Sequence, residues 1–277
     1  MQVQIISKDA DSIRFRVEGI NSAFANTLRR IILSEVPAMA IDEVVIIENS
    51  SVLHDEILAL RIGLIPLRTD LDSYNLPEEC SCKSELGCNL CRVILTLDVE
   101  AKDDARTVYS GDLISENPAI SPVSDKILMV KLARSQKVRL EAYARLGKGK
   151  VHAKWQAVSV CTYRYVPIMN IDKDRCDACG KCVNICPRRI LIKDGDEIKT
   201  QNLMECILCK DCVTVCEAEP PAIEVRWDEE SFIFDVESNG VLPIERIVSE
   251  GLNIINSKFE DLLESLPVEK SEKEESS

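Results

Sequence analysis

Between residues 176 and 216 the chain repeats itself at cysteine: Cys176, Cys179, Cys182 and Cys186 recur with a period of 30 as Cys206, Cys209, Cys212 and Cys216. Eight thiols packed so densely leave little room for a hydrophobic core, so a bound metal is expected to hold such a segment. The N-terminal stretch has no long apolar run and no signal architecture. No segment reaches the roughly 18 uninterrupted apolar residues of a membrane span, so no membrane partner is expected. Thirteen cysteines without an export signal are expected to act as metal ligands in a reducing cytoplasm rather than as disulfides.

The first run, closing at Cys186-Pro187, has the C-x2-C-x2-C-x3-C-P spacing of bacterial ferredoxins. An iron–sulfide cube needs four thiolates converging on one point. Three come from a tight loop and the fourth from the other half, so the halves interlock. This assigns Cys176, Cys179, Cys182 and Cys216 to one 4Fe–4S cluster, and Cys206, Cys209, Cys212 and Cys186 to a second. The second run departs from the pattern, with Glu217 where the first has Pro187. The repeated spacing argues against two zinc sites built from the same thiolates.

A separate group, Cys80, Cys82, Cys88 and Cys91, can form a closed tetrahedral zinc site. The alternative is a loop of unbound thiols. Cys161 sits in an alternating apolar segment and is expected to be a buried strand residue.

Other chemistry has little support. His54 and His152 lie far apart, and neither has a neighbouring nucleophile that would suggest a triad. Neither a phosphate-binding GxxxxGK[ST] run nor a dinucleotide fingerprint occurs. Residues 1–168 carry 21 basic and 22 acidic groups, and residues 226–277 carry 5 and 14. Such a balance does not mark an autonomous nucleic-acid binder. Arg145, Lys148, Lys150 and Lys154, ending at Trp155, are expected to be a solvated basic loop.

Hydropathy predicts two short strands, Val3–Ile6 and Ile13–Val17. A helix follows, capped by Asn21 or Ser22 and stopped by Pro37. Its apolar stripe is Phe24, Leu28, Ile31 and Ile32. Residues 39–168 read as mostly β, with strands at Val44–Ile47, Val93–Val99, Ile127–Leu132 and Val158–Tyr165 and a short helix at Leu140–Arg145. Asp194-Gly195 is a hairpin signal. Phe232–Val236 is a strand, and Pro243 opens a long helix whose apolar face includes Ile247, Ile255, Phe259, Leu262 and Leu263. Aromatic residues make up 4% of the chain, so aliphatic side chains are expected to fill the cores. The fold class is α+β. A domain from both ends (1–38 and 226–265) is interrupted by a mostly β domain (39–168) and the cysteine module (169–225), and residues 266–277 form an acidic, disordered tail.

The stretch from Asn21 to Leu67 contains ANTLRRI, then SEVP, an I-x-x-N-x-S-V-x-x-D-E segment and GLIPL. It resembles the D subunit of archaeal RNA polymerase, a family related to the bacterial alpha subunit and its eukaryotic counterparts. The likeness resumes at HAKWQAVSVCTYRYVP, ending at Pro167, and at FIFDVESNG, Phe232 to Gly240. The resemblance implies a non-catalytic assembly subunit with an alpha-like dimerisation domain. It implies pairing with subunit L through the two apolar helices, with Phe24, Leu28, Ile31, Ile32, Ile247, Ile255 and Phe259 toward the partner. Large catalytic subunits and the small subunits N and P are further expected neighbours, and DNA is met only through the assembled enzyme. Taken alone, the cysteine module would suggest an electron-transfer subunit instead.

Overall fold

A computed structural model of the chain describes residues 1–84 and 87–266. The expected acidic tail, from residue 267 onward, lies outside the described residues. The fold is mixed α+β.

The chain opens with the strands β1 (Gln2–Lys8) and β2 (Ser12–Glu18). On β2, Ile13, Phe15 and Val17 alternate with half-buried polar residues, the period-2 pattern of a strand buried on one face. Helix α1 (Ser22–Ser34) follows. Asn21 is its cap, its side-chain oxygen accepting the Phe24 amide at 2.9 Å.

Next come β3 (Pro37–Asn49), α2 (Asp55–Gly63), β4 (Val93–Glu100), β5 (Arg106–Tyr109), β6 (Ile114–Ser115), β7 (Leu128–Leu132) and β8 (Lys137–Lys148). The expected helix at Leu140–Arg145 is instead the middle of β8. Val138, Leu140, Ala142, Ala144 and Leu146 are all buried, with half-exposed or exposed residues between them. Helix propensity in Leu, Glu, Ala and Arg is overridden because β8 pairs antiparallel with both β3 and β4. Helix α2 was not legible because it buries only Leu58 and Ile62.

The chain ends with β9 (Val158–Ile171), α3 (Lys181–Ile185), β10 (Leu191–Asp194), β11 (Glu197–Thr200), α4 (Asp211–Thr214), β12 (Ile223–Ser238) and α5 (Ile244–Ser265). Gly195 has a positive φ of 61° in the tight turn between β10 and β11.

The chain divides into two compact units. One comprises residues 1–7, 14–26 and 162–235, the other residues 8–13, 27–161 and 236–277. The sheet order β1-β2-β12-β9 belongs mainly to the first. The rings on this sheet pack on one another, which adds an aromatic cluster to the expected aliphatic packing. Phe15 stacks on Phe234 at 5.1 Å, while Tyr163 and Tyr165 pack on Phe232 at 5.6 and 4.9 Å. The few aromatic residues of the chain are thus concentrated where two large rings can close a thin sheet.

The second unit holds the sheet β3-β8-β4-β6, the pair β5-β7 and α2 over one aliphatic core. Here α1 and α5 meet. A Cβ on Gly251 of α5 would lie 3.0 Å from the Ile32 side chain of α1, so a small residue lets the helices approach. Glu35, just past α1, accepts hydrogen bonds from Lys150 and Lys258 at 3.3 and 3.2 Å.

The basic stretch is not a solvated loop. Asp42, at a bulge of β3, pairs with Arg145 and with Lys154, the latter at 2.6 Å. Lys150 pairs with Glu35. Trp155 lies over Gly147, donating its indole N–H to the Arg145 carbonyl at 3.2 Å. A Cβ on Gly147 would fall 2.4 Å from the indole ring. Gly147→Ala should therefore displace Trp155 and cost about 2–3 kcal/mol of stability, measured by denaturant unfolding. A cost below about 0.5 kcal/mol would contradict this packing.

Burial would raise the Glu35 pKa, but hydrogen bonds from Lys258 and Lys150 outweigh it and hold the carboxylate below its ordinary 4.5. A depressed pKa contributes stability above the unfolded value, and that contribution is lost as pH falls through the folded one. Glu35→Gln should thus lower stability by about 1 kcal/mol at pH 7. The wild-type advantage should vanish in urea titrations at pH 3.

Candidate metal centres and an exposed helix face

Cys80, Cys82, Cys88 and Cys91 converge so that all four sulfurs lie within 4.8 Å of one another. They lie in the connection between α2 and β4. Two turns bring them together, with the Lys83 amide on the Cys80 carbonyl and the Cys91 amide on the Cys88 carbonyl. Gly87 has φ +74°, and a Cβ there would lie 3.3 Å from the Cys91 sulfur. The sulfur separations Cys80–Cys88, Cys82–Cys91 and Cys88–Cys91 are 3.7, 3.8 and 3.8 Å. A tetrahedron of thiolates with metal–sulfur bonds of about 2.3 Å has edges of about 3.8 Å. Three of the six edges already match such a tetrahedron, so the four thiols could close on a metal ion of zinc's size.

Their protonation is already uneven. The Ser84 amide, with the Cys80 thiol, brings Cys82 down to about 7. Burial pushes Cys91 up to about 12. Amides also point at sulfur, from Cys88 to Cys91 at 3.1 Å and from Leu90 to Cys88 at 3.4 Å. Such donors would stabilise thiolates on a metal.

The eight repeated cysteines line two cavities. The first brings together Cys176, Cys179, Cys182 and Cys216. The second brings together Cys186, Cys206, Cys209 and Cys212. The sequence repeat is also a backbone repeat. Ala178 and Leu208 have φ of 52° and 58°, while Gly180 and Lys210 have 80° and 64°. Each left-handed pair coils a three-cysteine loop around its cavity, and α3 and α4 then begin at equivalent positions.

Cys182, Cys206 and Cys212 are buried, whereas Cys179 and Cys209 are exposed. Burial pushes the Cys212 thiol up to about 11, and the adjacent Cys206, Cys209 and Cys186 thiols push the same way. The surrounding core joins Cys182, Cys206 and Cys212 to the aliphatic residues Ile190, Leu191, Ile198, Ile223 and Val225. Cys161 stands apart on β9, buried, its thiol pushed up to about 12 by burial. His54 precedes α2, and His152 accepts the Lys154 amide at 3.0 Å.

A third feature is apolar. Leu28, Ile31, Ile32, Ile247 and Ile255 are buried within the chain, and Phe24 is half-buried. Beyond Ile255 every described residue of α5 is exposed. Phe259, Leu262 and Leu263 are 54%, 52% and 63% exposed. Of the residues expected to face a partner, Phe259 alone stays exposed, and Leu262 and Leu263 continue its stripe toward the helix end. On β1, Val3, Ile5 and Ile6 are exposed as well.

An amphipathic helix with a bare apolar end is a surface that a partner chain would cover. Residues 14–259 match the RNA polymerase Rpb3/Rpb11 dimerisation domain. The chain belongs to that family of RNA polymerase subunits. It is 40% identical to the DNA-directed RNA polymerase subunit Rpo3 of Methanosphaera stadtmanae over 95% of this chain and 97% of that protein. Rpo3 of Archaeoglobus fulgidus is 40% identical over 94% and 96%. The DNA-directed RNA polymerase II subunit rpb3 of Dictyostelium discoideum is 34% identical over 94% and 93%.

Proposed function

We propose that this chain is a non-catalytic assembly subunit of a DNA-directed RNA polymerase, the counterpart of the archaeal D subunit, and that it acts in the cytoplasm. It pairs with a smaller Rpb11-like subunit, L, and the pair gathers the large catalytic subunits and the small subunits N and P. DNA is reached only through the assembled enzyme. The match to a dimerisation domain across residues 14–259 carries this reading. The exposed end of α5 supports it, since Phe259, Leu262 and Leu263 need a cover. Leu28, Ile31, Ile32, Ile247 and Ile255, with Phe24, form the layer beneath that shapes this face. Residues 1–38 and 226–265 make the dimerisation domain, 39–168 the mostly β insertion and 169–225 the ferredoxin-like module.

The donor sets fit their metals. Cys80, Cys82, Cys88 and Cys91 would hold one zinc ion as a structural clip. Cys176, Cys179, Cys182 and Cys216 would hold one 4Fe–4S cluster, and Cys186, Cys206, Cys209 and Cys212 the other. When bound, such clusters supply cross-linking of the loops and a one-electron redox centre. The test is anaerobic purification of the untagged chain from its own cells, with partners identified and iron and zinc counted. The expected result is a polymerase complex carrying both metals. A chain that purifies alone and without iron would sink the proposal.

A further inference from the structure

We infer that the two cysteine sets differ in lability: the Cys176–Cys179–Cys182–Cys216 site surrenders iron to oxidants, and the Cys186–Cys206–Cys209–Cys212 site retains it. This rests on the iron–sulfur reading above and extends it to the walls of each cavity.

The first cavity has four charged residues in a wall that also includes Ile198, Ala222 and Ile223. Arg175, Asp177, Lys181 and Glu217 line it beside the four cysteines. Lys181 pairs with Glu217 at its rim, and those side chains are 45% and 73% exposed. A solvated ion pair is a weak lid, because exposed pairs contribute little and exchange readily with water. Glu217 holds the place that Pro187 occupies after the first run. Arg175 ties this loop to the neighbouring Asp172 and to the Pro220 carbonyl.

The second cavity is walled mainly by Met169, Pro187, Ile190, Ile207 and Val225. Of its two cations, Lys210 lies over the Trp227 ring at 5.2 Å. The segment entering Cys206 is also pinned to the sheet. Arg164 donates to the Met204 carbonyl at 3.0 Å and to Asp235 at 3.1 Å, and Arg14 pairs with both Glu205 and Asp235. Cys209 is exposed as Cys179 is, so the contrast lies in the walls and not in the outermost sulfur.

A one-electron acceptor such as ferricyanide takes an electron from a 2+ cluster core and leaves it 3+. Release of one Fe²⁺ then leaves a three-iron core of charge 1+, and the freed cysteine thiolate takes a proton from water. An apolar wall favours the oxidised, less charged thiolate-ligated cluster. Iron leaves, however, only where water can replace the thiolate, so solvent access controls the loss. The charged wall therefore marks the labile site, with Cys179 as the sulfur released.

The experiment uses the full chain loaded anaerobically, holding roughly eight irons if both clusters form. Ferricyanide is added, iron release is followed with a chelating dye, and three-iron signals are followed by electron paramagnetic resonance. The expected course is two phases of similar amplitude with rates at least about tenfold apart. Lys181→Met with Glu217→Leu should slow the fast phase several-fold and leave the slow phase unchanged. Lys210→Met should leave the fast phase unchanged. A single phase, or a fast phase altered by Lys210→Met and not by the first-site pair, overturns the inference while the cluster reading stands. Failure of the wild-type chain to load iron overturns both. Circular dichroism and initial iron content of each variant establish that it folds and loads before oxidation.

Discussion

Glutamate at both Phe259 and Leu262 will leave the chain folded alone and abolish pairing with an Rpb11-like subunit. Both side chains are more than half exposed, so their replacement should change the stability of the isolated chain by no more than about 0.5 kcal/mol each. In a complex the same positions would bury two carboxylates in an apolar contact, at a cost of several kcal/mol. With about 2 kcal/mol lost at each, affinity falls roughly 1,000-fold. Sedimentation of the mixed subunits at micromolar concentration reads the result. Undiminished complex formation would show that the bare end of α5 serves something other than the dimer.

The second large effect is at the cysteine module. The core of the cysteine module combines Cys182, Cys206 and Cys212 with Ile190, Leu191, Ile198, Ile223 and Val225, so thiols are interleaved with every part of its small aliphatic cluster. Thiols that face one another across a cavity contribute little unless a metal joins them. Metal binding then contributes several kcal/mol or more of local folding free energy. Removing iron by chelation under mild oxidation should speed tryptic cleavage at Arg188 and Arg189 by at least about 100-fold. Serine at Cys182 and Cys212 together should give the same digestion pattern without chelator. The aromatic cluster of Phe15, Phe232 and Phe234 should keep the sheet's cleavage sites protected in both cases. Equal digestion rates with and without iron would mean that the module folds on its own side-chain contacts.

The sequence made some of this legible and hid the rest, and the physical range of each signal explains the difference. Ligand spacing is a local, near-covalent constraint. The spacing therefore divides the eight cysteines into two sets, and each set lines one cavity, while what those thiols ligate belongs to the proposed function. The Asn21 cap and the end of α1 before Pro37 were visible for the same reason, since both act within one turn. Strand β8 was misread because its alternating Leu and Ala also suit a helix. Only pairing with β3 and β4, distant in sequence, decides between them. The basic stretch was misjudged because Lys154 finds Asp42 across 112 positions. The charge pattern of one segment cannot show that. Likewise the apolar face of α5 could be drawn as one stripe. Where that stripe passes from covered to bare, between Ile255 and Phe259, depends on where α1 ends its contact.

Each cavity takes its fourth cysteine from the other run, which limits what can be deleted from this chain. Cys216 joins the first three cysteines and Cys186 joins the second three. Deleting either run would thus leave two incomplete sets rather than one intact site. Point replacement behaves differently: the two sets share no cysteine, so substituting within one set leaves all four thiols of the other in place.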